Sequence, residues 1–378
     1  MAAVRALLGP RPTESSALDG AARRRARLAA PVVAREDQPP FDNSQMDGYA
    51  VAATGAREAI VGPTLPAGTD PATLYPDGVG DLAAPIMTGA KLPAGTRAVV
   101  PVEECDPSEF LTAGSRVRVP ASKEGRFLRR TGSDIRAGDQ LAAAGAELTP
   151  ALYGALVAQG ITRVQVERQA RILVATGGAE VAGGASPAAV RDTNGPMLEL
   201  LAHRHGIAVA GRVLTNDDPA ALRGALRREI GRTGPDAVVT SGGISHGAFE
   251  VVRQVLADGW FGHVAQQPGG PQGLARFGGV PVICLPGNPV STLVSFRLYV
   301  APVLGHAPDP VLAPLSRAVD GIEGRDRFLR GRFTHGSAEP VGAPGSHLLA
   351  QAGAATCLLR VPAGARLAAG SPVRAYPL

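Results

Sequence analysis

The chain has no apolar run near the roughly 20 residues needed to cross a bilayer as a helix, so a membrane-spanning helix is not expected. Residues 1–10 lack the apolar core of a signal peptide, so export by that route is not expected and the cytoplasm is the expected compartment. Cysteine is scarce. Cys105, Cys284 and Cys357 lie far apart, which excludes a disulfide framework and a cysteine-based metal site and suits reduced thiols. Lysine is nearly absent, only Lys91 and Lys123, and arginine carries almost all the positive charge. A net charge of +5 is small for 378 residues, and aromatics make up only 4%, so the interleaved basic and aromatic residues of a single-strand binder are missing. The cluster Arg23-Arg24-Arg25-Ala-Arg27 suits a solvated helix face better than a nucleic-acid or membrane contact. No nucleic-acid or membrane partner is expected.

What is present fits several domains, because the chain exceeds the usual size of one. The spacing over Thr13 to Leu28 predicts a helix, with Thr13 or Ser15 as its cap. Residues 62–121, rich in Gly, Pro and Val, predict a small β-rich domain, and Thr149 to Gly160 a helix. From Arg171 to Phe296 short apolar runs alternate with helical stretches, the pattern of buried parallel strands. Three of these runs end in loops of small residues: Thr176-Gly-Gly-Ala-Glu180, Ser241-Gly-Gly-Ile-Ser245 and Pro286-Gly-Asn-Pro-Val-Ser291. In such sheets ligands sit at the carboxyl ends of the strands, where free backbone N–H groups favour anions. Asp218 before Pro219 reads as a helix cap, which leaves Asp217 beside it without a structural role. Residues 316–378 alternate and carry many glycines, as a small β-barrel would.

Six motifs then occur in a fixed order. They are Pro40-Phe-Asp-Asn-Ser-Gln-Met-Asp-Gly-Tyr-Ala50, Ile86-Met-Thr-Gly-Ala90, Asp192-Thr-Asn194, Asp217-Asp-Pro219, Ser241-Gly-Gly-Ile-Ser245 and Leu285-Pro-Gly-Asn-Pro-Val-Ser291. Together they resemble the molybdopterin molybdenumtransferase family over nearly the whole chain. That resemblance implies a multidomain α/β and β fold. A discontinuous stalk, 1–38 with 140–168, would flank an inserted β-rich domain, 39–139. A three-layer, parallel-rich α/β domain that binds molybdopterin, 169–306, would precede a C-terminal β-barrel, 307–378. It also implies a homodimer whose cleft joins the α/β domain of one subunit to the inserted domain of the other. The implied reaction takes adenylylated molybdopterin and molybdate to the molybdenum cofactor and AMP, with Mg2+. The adenylylating enzyme and acceptor molybdoenzymes are further implied partners.

The same resemblance implies functional carboxylates at Asp47, Asp134, Glu180, Asp217 and Glu250. Bare carboxylates would repel a phosphoanhydride, and magnesium held by Glu180 and Glu250 gives them a role. Thr88, Asp192, Ser241, Gly242, Gly243, Ser245, His263, Pro286, Gly287, Asn288 and Pro289 are the implied substrate-binding residues. The chain departs from the family pattern at Glu250, where aspartate is common, and at Phe127 and Gln351. His263 and Gly270 stand where lysines are frequent, and these changes bear on molybdate handling more than on nucleotide binding. Two other functions share these features: a scaffold of the same fold without turnover, and the preceding adenylylation of molybdopterin. Retention of all five acids argues against the first, and the flanking domains against the second.

Overall fold

A computed structural model describes residues 1–178, 181, 190–244 and 250–378. It divides into two units, one of residues 15–22 and 27–166, the other of residues 1–14, 23–26 and 167–378.

The first unit is β-rich. Gly48–Val51 lies between Ala84–Ile86 and Ala98–Pro101 in an antiparallel sheet, and Arg57–Ile60 pairs with Arg116–Val119. Tyr49, Val51, Val100 and Val117 bury their side chains in one core. Gly48 cannot carry a side chain, because a Cβ there would stand 2.2 Å from the Val100 carbonyl oxygen. Gly48 thus marks a close approach of its strand to Ala98–Pro101. A helix runs over Pro150–Ala158, with the Thr149 hydroxyl accepting from Leu152 N.

The helix expected over Thr13 to Leu28 is not there. Thr13–Ala17 is a strand paired with Arg163–Glu167, and only Leu18–Arg23 is helical. The Arg163 guanidinium donates to the Ser15 hydroxyl at 3.2 Å and its carbonyl at 2.9 Å, and Leu18 N donates to Thr162 O. Pairing with a partner about 150 residues away overrides a local helical spacing that has no strong cap.

The second unit is built on a mixed sheet. Its strands are β1 (Arg171–Gly177), β2 (Ala208–Thr215), β3 (Ala237–Ser241), β4 (Trp260–His263), β5 (Pro271–Phe277) and β6 (Val280–Leu285), in the order β2-β1-β3-β6-β5-β4. The first four in that order run parallel, while β5 and β4 are antiparallel additions. Alternate residues of the continuous apolar runs serve opposite faces. Ile172, Val174, Val239 and Ile283 pack on Leu198 and Leu201 of helix α1 (Asn194–Arg204). Leu173, Val238, Val282 and Cys284 pack on Leu222 and Leu226 of α2 (Pro219–Thr233) and on α3 (Val251–Val255). Asp218 caps α2 as its sequence predicts, accepting from Ala220 N at 2.8 Å.

After β6, helix α4 (Pro289–Ser295) leads through Phe296–Val300 to a C-terminal sheet of Val311–Pro314, Asp326–Thr334, Ser337–Pro340, Cys357–Val361 and Pro372–Pro377. Gln266–Gln267 joins that sheet beside Asp326–Arg327. The buried Arg297 donates to Pro377 O at 2.6 Å and Pro308 O at 2.5 Å, so one side chain ties the connecting helix to both ends of the C-terminal segment. All three cysteines are buried thiols, and burial pushes Cys105 and Cys357 up to about 11 and Cys284 up to about 12.

His205 closes α1 with its ring buried. Nδ1 lies 3.1 Å from the His306 carbonyl, and Nε2 is buried with no hydrogen-bond partner among the described residues. Burial holds its pKa below the ordinary histidine value, outweighing the His306 contact. The unfolded chain therefore takes up this proton first on acidification, and stability present above about pH 6.5 is lost as the pH falls. Melting temperatures measured from about pH 7.5 to 5.5 should fall less steeply for His205→Gln than for the parent, a range set around the histidine reference value. Parallel slopes would mean His205 does not carry this term.

Candidate active site

The carboxyl ends of β1, β3 and β6 converge on a cleft of about 710 Å³. Its floor is backbone. Gly242 stands at φ 94°, and a Cβ on Gly287 would come within 3.2 Å of the Gly242 Cα. The two loops approach main chain to main chain, and the positive φ of Gly242 favours glycine. Gly242 N donates to Leu285 O at 3.1 Å, binding one loop to the strand that feeds the other.

Side chains hold these loops from below and from the side. The buried hydroxyls of Ser241 and Thr292 lie 3.0 Å apart, and both donate to Pro286 O, at 3.1 Å and 2.7 Å. Asn194 Nδ2 donates to Gly287 O at 2.7 Å. Asp192 spends its oxygens within the protein. Thr176 Oγ1 at 2.8 Å and Arg212 Nη2 at 2.7 Å donate to one of them, and Gly195 N at 3.0 Å donates to the other. Asp192 thus lines the cleft while anchoring the start of α1.

Asp217 and Glu250 also line the cleft, together with Gly243, Asn288 and Pro289. Glu180 and Ser245 lie outside the described residues. Among the described residues no three metal-ligating side chains stand together. Of the two residues implied to hold magnesium, Glu250 lines this cleft, and the chemistry fits, since that ion takes as few as one carboxylate and completes its shell with phosphate oxygens and water.

His263 is not in this cleft. With Gly270 it lines a second cavity of about 510 Å³ whose wall carries Arg317, Arg325, Arg327 and Arg330. The two cavities share Pro271, Asn288 and Ser291. Arg330 is only 5% exposed, donates to Leu348 O and Ala343 O, and has no carboxylate partner among the described residues. The C-terminal segment thus brings four arginines to the cavity that positions 263 and 270 line. Nothing in the spacing of these arginines signalled it. Gln351, one of the departures, accepts from Ala343 N at 2.8 Å and fixes the loop over Arg330.

In the other unit Asp47 and Thr88 form a pair. Thr88 N at 2.6 Å and Thr88 Oγ1 at 2.7 Å both donate to one Asp47 oxygen, linking the two motifs that contain them. The hydroxyl proton of Thr88 is thereby directed at Asp47, and its lone pairs are what it can offer a ligand. These bonds favour the charged carboxylate and hold the Asp47 pKa below the usual range. Asp134 is exposed in the same unit, its N–H donating to Gln38 O at 2.9 Å. Thr88→Val should move the Asp47 carboxyl titration upward, toward about 3.9, as read by carbon-detected NMR. An unmoved titration would assign the depression to another group.

A sequence of this design has relatives. Residues 1–160 match the model of the MoeA N-terminal region (domain I and II), 172–306 the probable molybdopterin binding domain, and 313–378 the MoeA C-terminal region (domain IV). Molybdopterin molybdenumtransferase 2 of Mycobacterium tuberculosis is 35% identical over 382 residues, covering 93% of this chain and 92% of that one. Molybdopterin molybdenumtransferase of Haemophilus influenzae is 30% identical over 373 residues, covering 93% and 90%. The crystal structure of the molybdopterin biosynthesis moea protein of a Pyrococcus species superposes with a TM-score of 0.76 at 25% identity, covering all of this chain and 97% of that one. Glycine-floored cleft, ordered motifs and full-length relatives agree, and the chain belongs to the molybdopterin molybdenumtransferase family, a transferase of molybdenum cofactor biosynthesis that binds molybdopterin.

Proposed function

We propose that the chain inserts molybdate into adenylylated molybdopterin and releases AMP. The observation that carries this reading is the junction of two unlike cavities. A cleft with a backbone floor and two carboxylates meets an arginine-walled cavity at Asn288 and Ser291. The first suits a phosphoanhydride and the second a small dianion, and the shared wall would bring the two substrates together.

On this reading the N–H groups of the Gly242 and Gly287 loops bind phosphate, and Asn194 and Asp192 keep those loops in register. Arg317, Arg327 and His263 hold molybdate, with Arg330 fixing the loop around it. Glu250 and Glu180 would hold magnesium, which neutralises charge developing on the phosphate as the anhydride is cleaved. Asp217 lines the same cleft and would orient the substrate. Asp47, kept ionised by Thr88, and Asp134 would reach the cleft from the β-rich unit of a second subunit in a homodimer. We place the protein in the cytoplasm, with an adenylylating enzyme before it and acceptor molybdoenzymes after it. We also propose the four-part division: a discontinuous stalk of 1–38 with 140–168, an inserted β-rich domain of 39–139, a three-layer α/β domain of 169–306 and a closing β-barrel of 307–378.

The deciding assay measures AMP released from adenylylated molybdopterin with magnesium, with and without molybdate. Release should depend on molybdate, and binding without release would instead make the chain a scaffold. Arg327→Ala should raise the molybdate concentration for half-maximal release about tenfold, the value of one charged hydrogen bond, without changing affinity for AMP. An unaltered molybdate dependence would place the dianion elsewhere. The composite site has its own test. Asp47→Ala chains mixed with Glu250→Ala chains should regain part of the activity that each lacks, since one site in a mixed dimer keeps both residues. No recovery after demonstrated subunit exchange would sink the cross-subunit arrangement.

A further inference from the structure

Thr292 lies on α4, and no motif of the chain singles it out as a site residue. It is fully buried, at 0% exposure, and Ser241 beside it is 4% exposed. Both buried hydroxyls converge on the Pro286 carbonyl, whose two lone pairs can accept them together. Thr292 Oγ1 could also serve Asn288 O, at 3.2 Å, the usual i−4 bond of a helical threonine. Its shorter contact, 2.7 Å, goes instead to Pro286 O in the loop before the helix.

The consequence follows from the planarity of the peptide. The peptide joining Pro286 and Gly287 is trans, since the cis bonds are those before Pro39, Pro107 and Pro268. In a trans peptide the carbonyl and the N–H point in opposite directions. With the Pro286 carbonyl drawn into the protein by Ser241 and Thr292, the Gly287 N–H is turned the other way, toward the cleft that Gly287 lines. The next carbonyl, Gly287 O, is taken by Asn194 Nδ2, so rotation of the loop is opposed at both carbonyls.

We propose that Thr292 is a positioning residue that, with Ser241, aims the Gly287 N–H at the anionic part of the substrate. Resting on the insertion reading above, this role names the residue that sets one donor of the phosphate-binding floor. Thr292 touches no substrate. It acts through a peptide plane, and its removal frees that plane to rotate.

The test measures binding of adenylylated molybdopterin by equilibrium dialysis, beside the melting temperature, for the parent and three variants. Thr292→Val keeps the shape and loses the hydroxyl, and should weaken binding about tenfold, the value of one oriented hydrogen bond to a charged group. Thr292→Ser keeps the hydroxyl and should restore most of that loss. Val294→Ala, a fully buried neighbour on the same helix, should lower the melting temperature with affinity unchanged. Ser241→Ala carries the same test should Thr292→Val not fold, and should weaken binding in the same direction. Parent-like affinity in a folded Thr292→Val, or a loss in Thr292→Ser equal to that in Thr292→Val, overturns the proposal. Failure of the parent itself to bind overturns the insertion reading on which it rests.

Discussion

The site depends on one contact that contains no side chain, the approach of Gly287 to Gly242 across the ends of β6 and β3. A methyl group at Gly287 would stand 3.2 Å from the Gly242 Cα, so the two loops would have to part by a few tenths of an ångström. Everything else at this end of the sheet serves that approach. The parallel register of β1, β3 and β6 brings the loops level, and the clusters on the two faces hold the register. The hydroxyls and amides beneath take up the carbonyls, which leaves N–H groups as the surface a ligand meets. On the reading proposed above, backbone groups of this kind would meet the anionic part of the substrate.

Charge is added from elsewhere, mostly carboxylates at one cavity and mostly guanidinium groups at the other. Asp217 and Glu250 stand at the rim of the glycine-floored cleft, while Arg317, Arg325, Arg327 and Arg330 wall the neighbouring cavity. Arginine suits that place, because its guanidinium can donate to backbone carbonyls with some N–H groups and present charge with the rest. Arg297 and Arg330 both work through carbonyls, one binding the C-terminal segment and the other shaping the cavity loop. A chain almost without lysine has thus placed arginines around the cavity that His263 lines.

How much of this the sequence reveals depends on how local each cause is. The helix after Thr149, the cap at Asp218 and the apolar strands from Arg171 onward are set by neighbours in the chain, and they stand as read. The strand at Thr13–Ala17 is set by Arg163–Glu167, and local spacing pointed the other way. The same distinction divides the site. Gly242, Gly243, Gly287 and Asn288 lie in motifs and meet at the cleft. Asp192 carries a motif as well, but its commitment to Thr176 and Arg212 depends on two adjacent strands. Thr292 and Arg330 sit in ordinary helical and strand sequence, and only folding gives them a neighbour on which to act.

The buried thiols have a bearing on the metal traffic of such a protein. Soft divalent and monovalent metals are captured by thiolate, and a thiol near 11 or 12 is almost wholly protonated at neutral pH. Cys284 lies in the strand that ends at the anion loop, yet packs against the far face of the sheet from α1. The protein therefore offers copper or zinc no sulfur ligand next to its own cleft. Burial that withholds these thiols from metals withholds them from oxidants too, since both react with the thiolate.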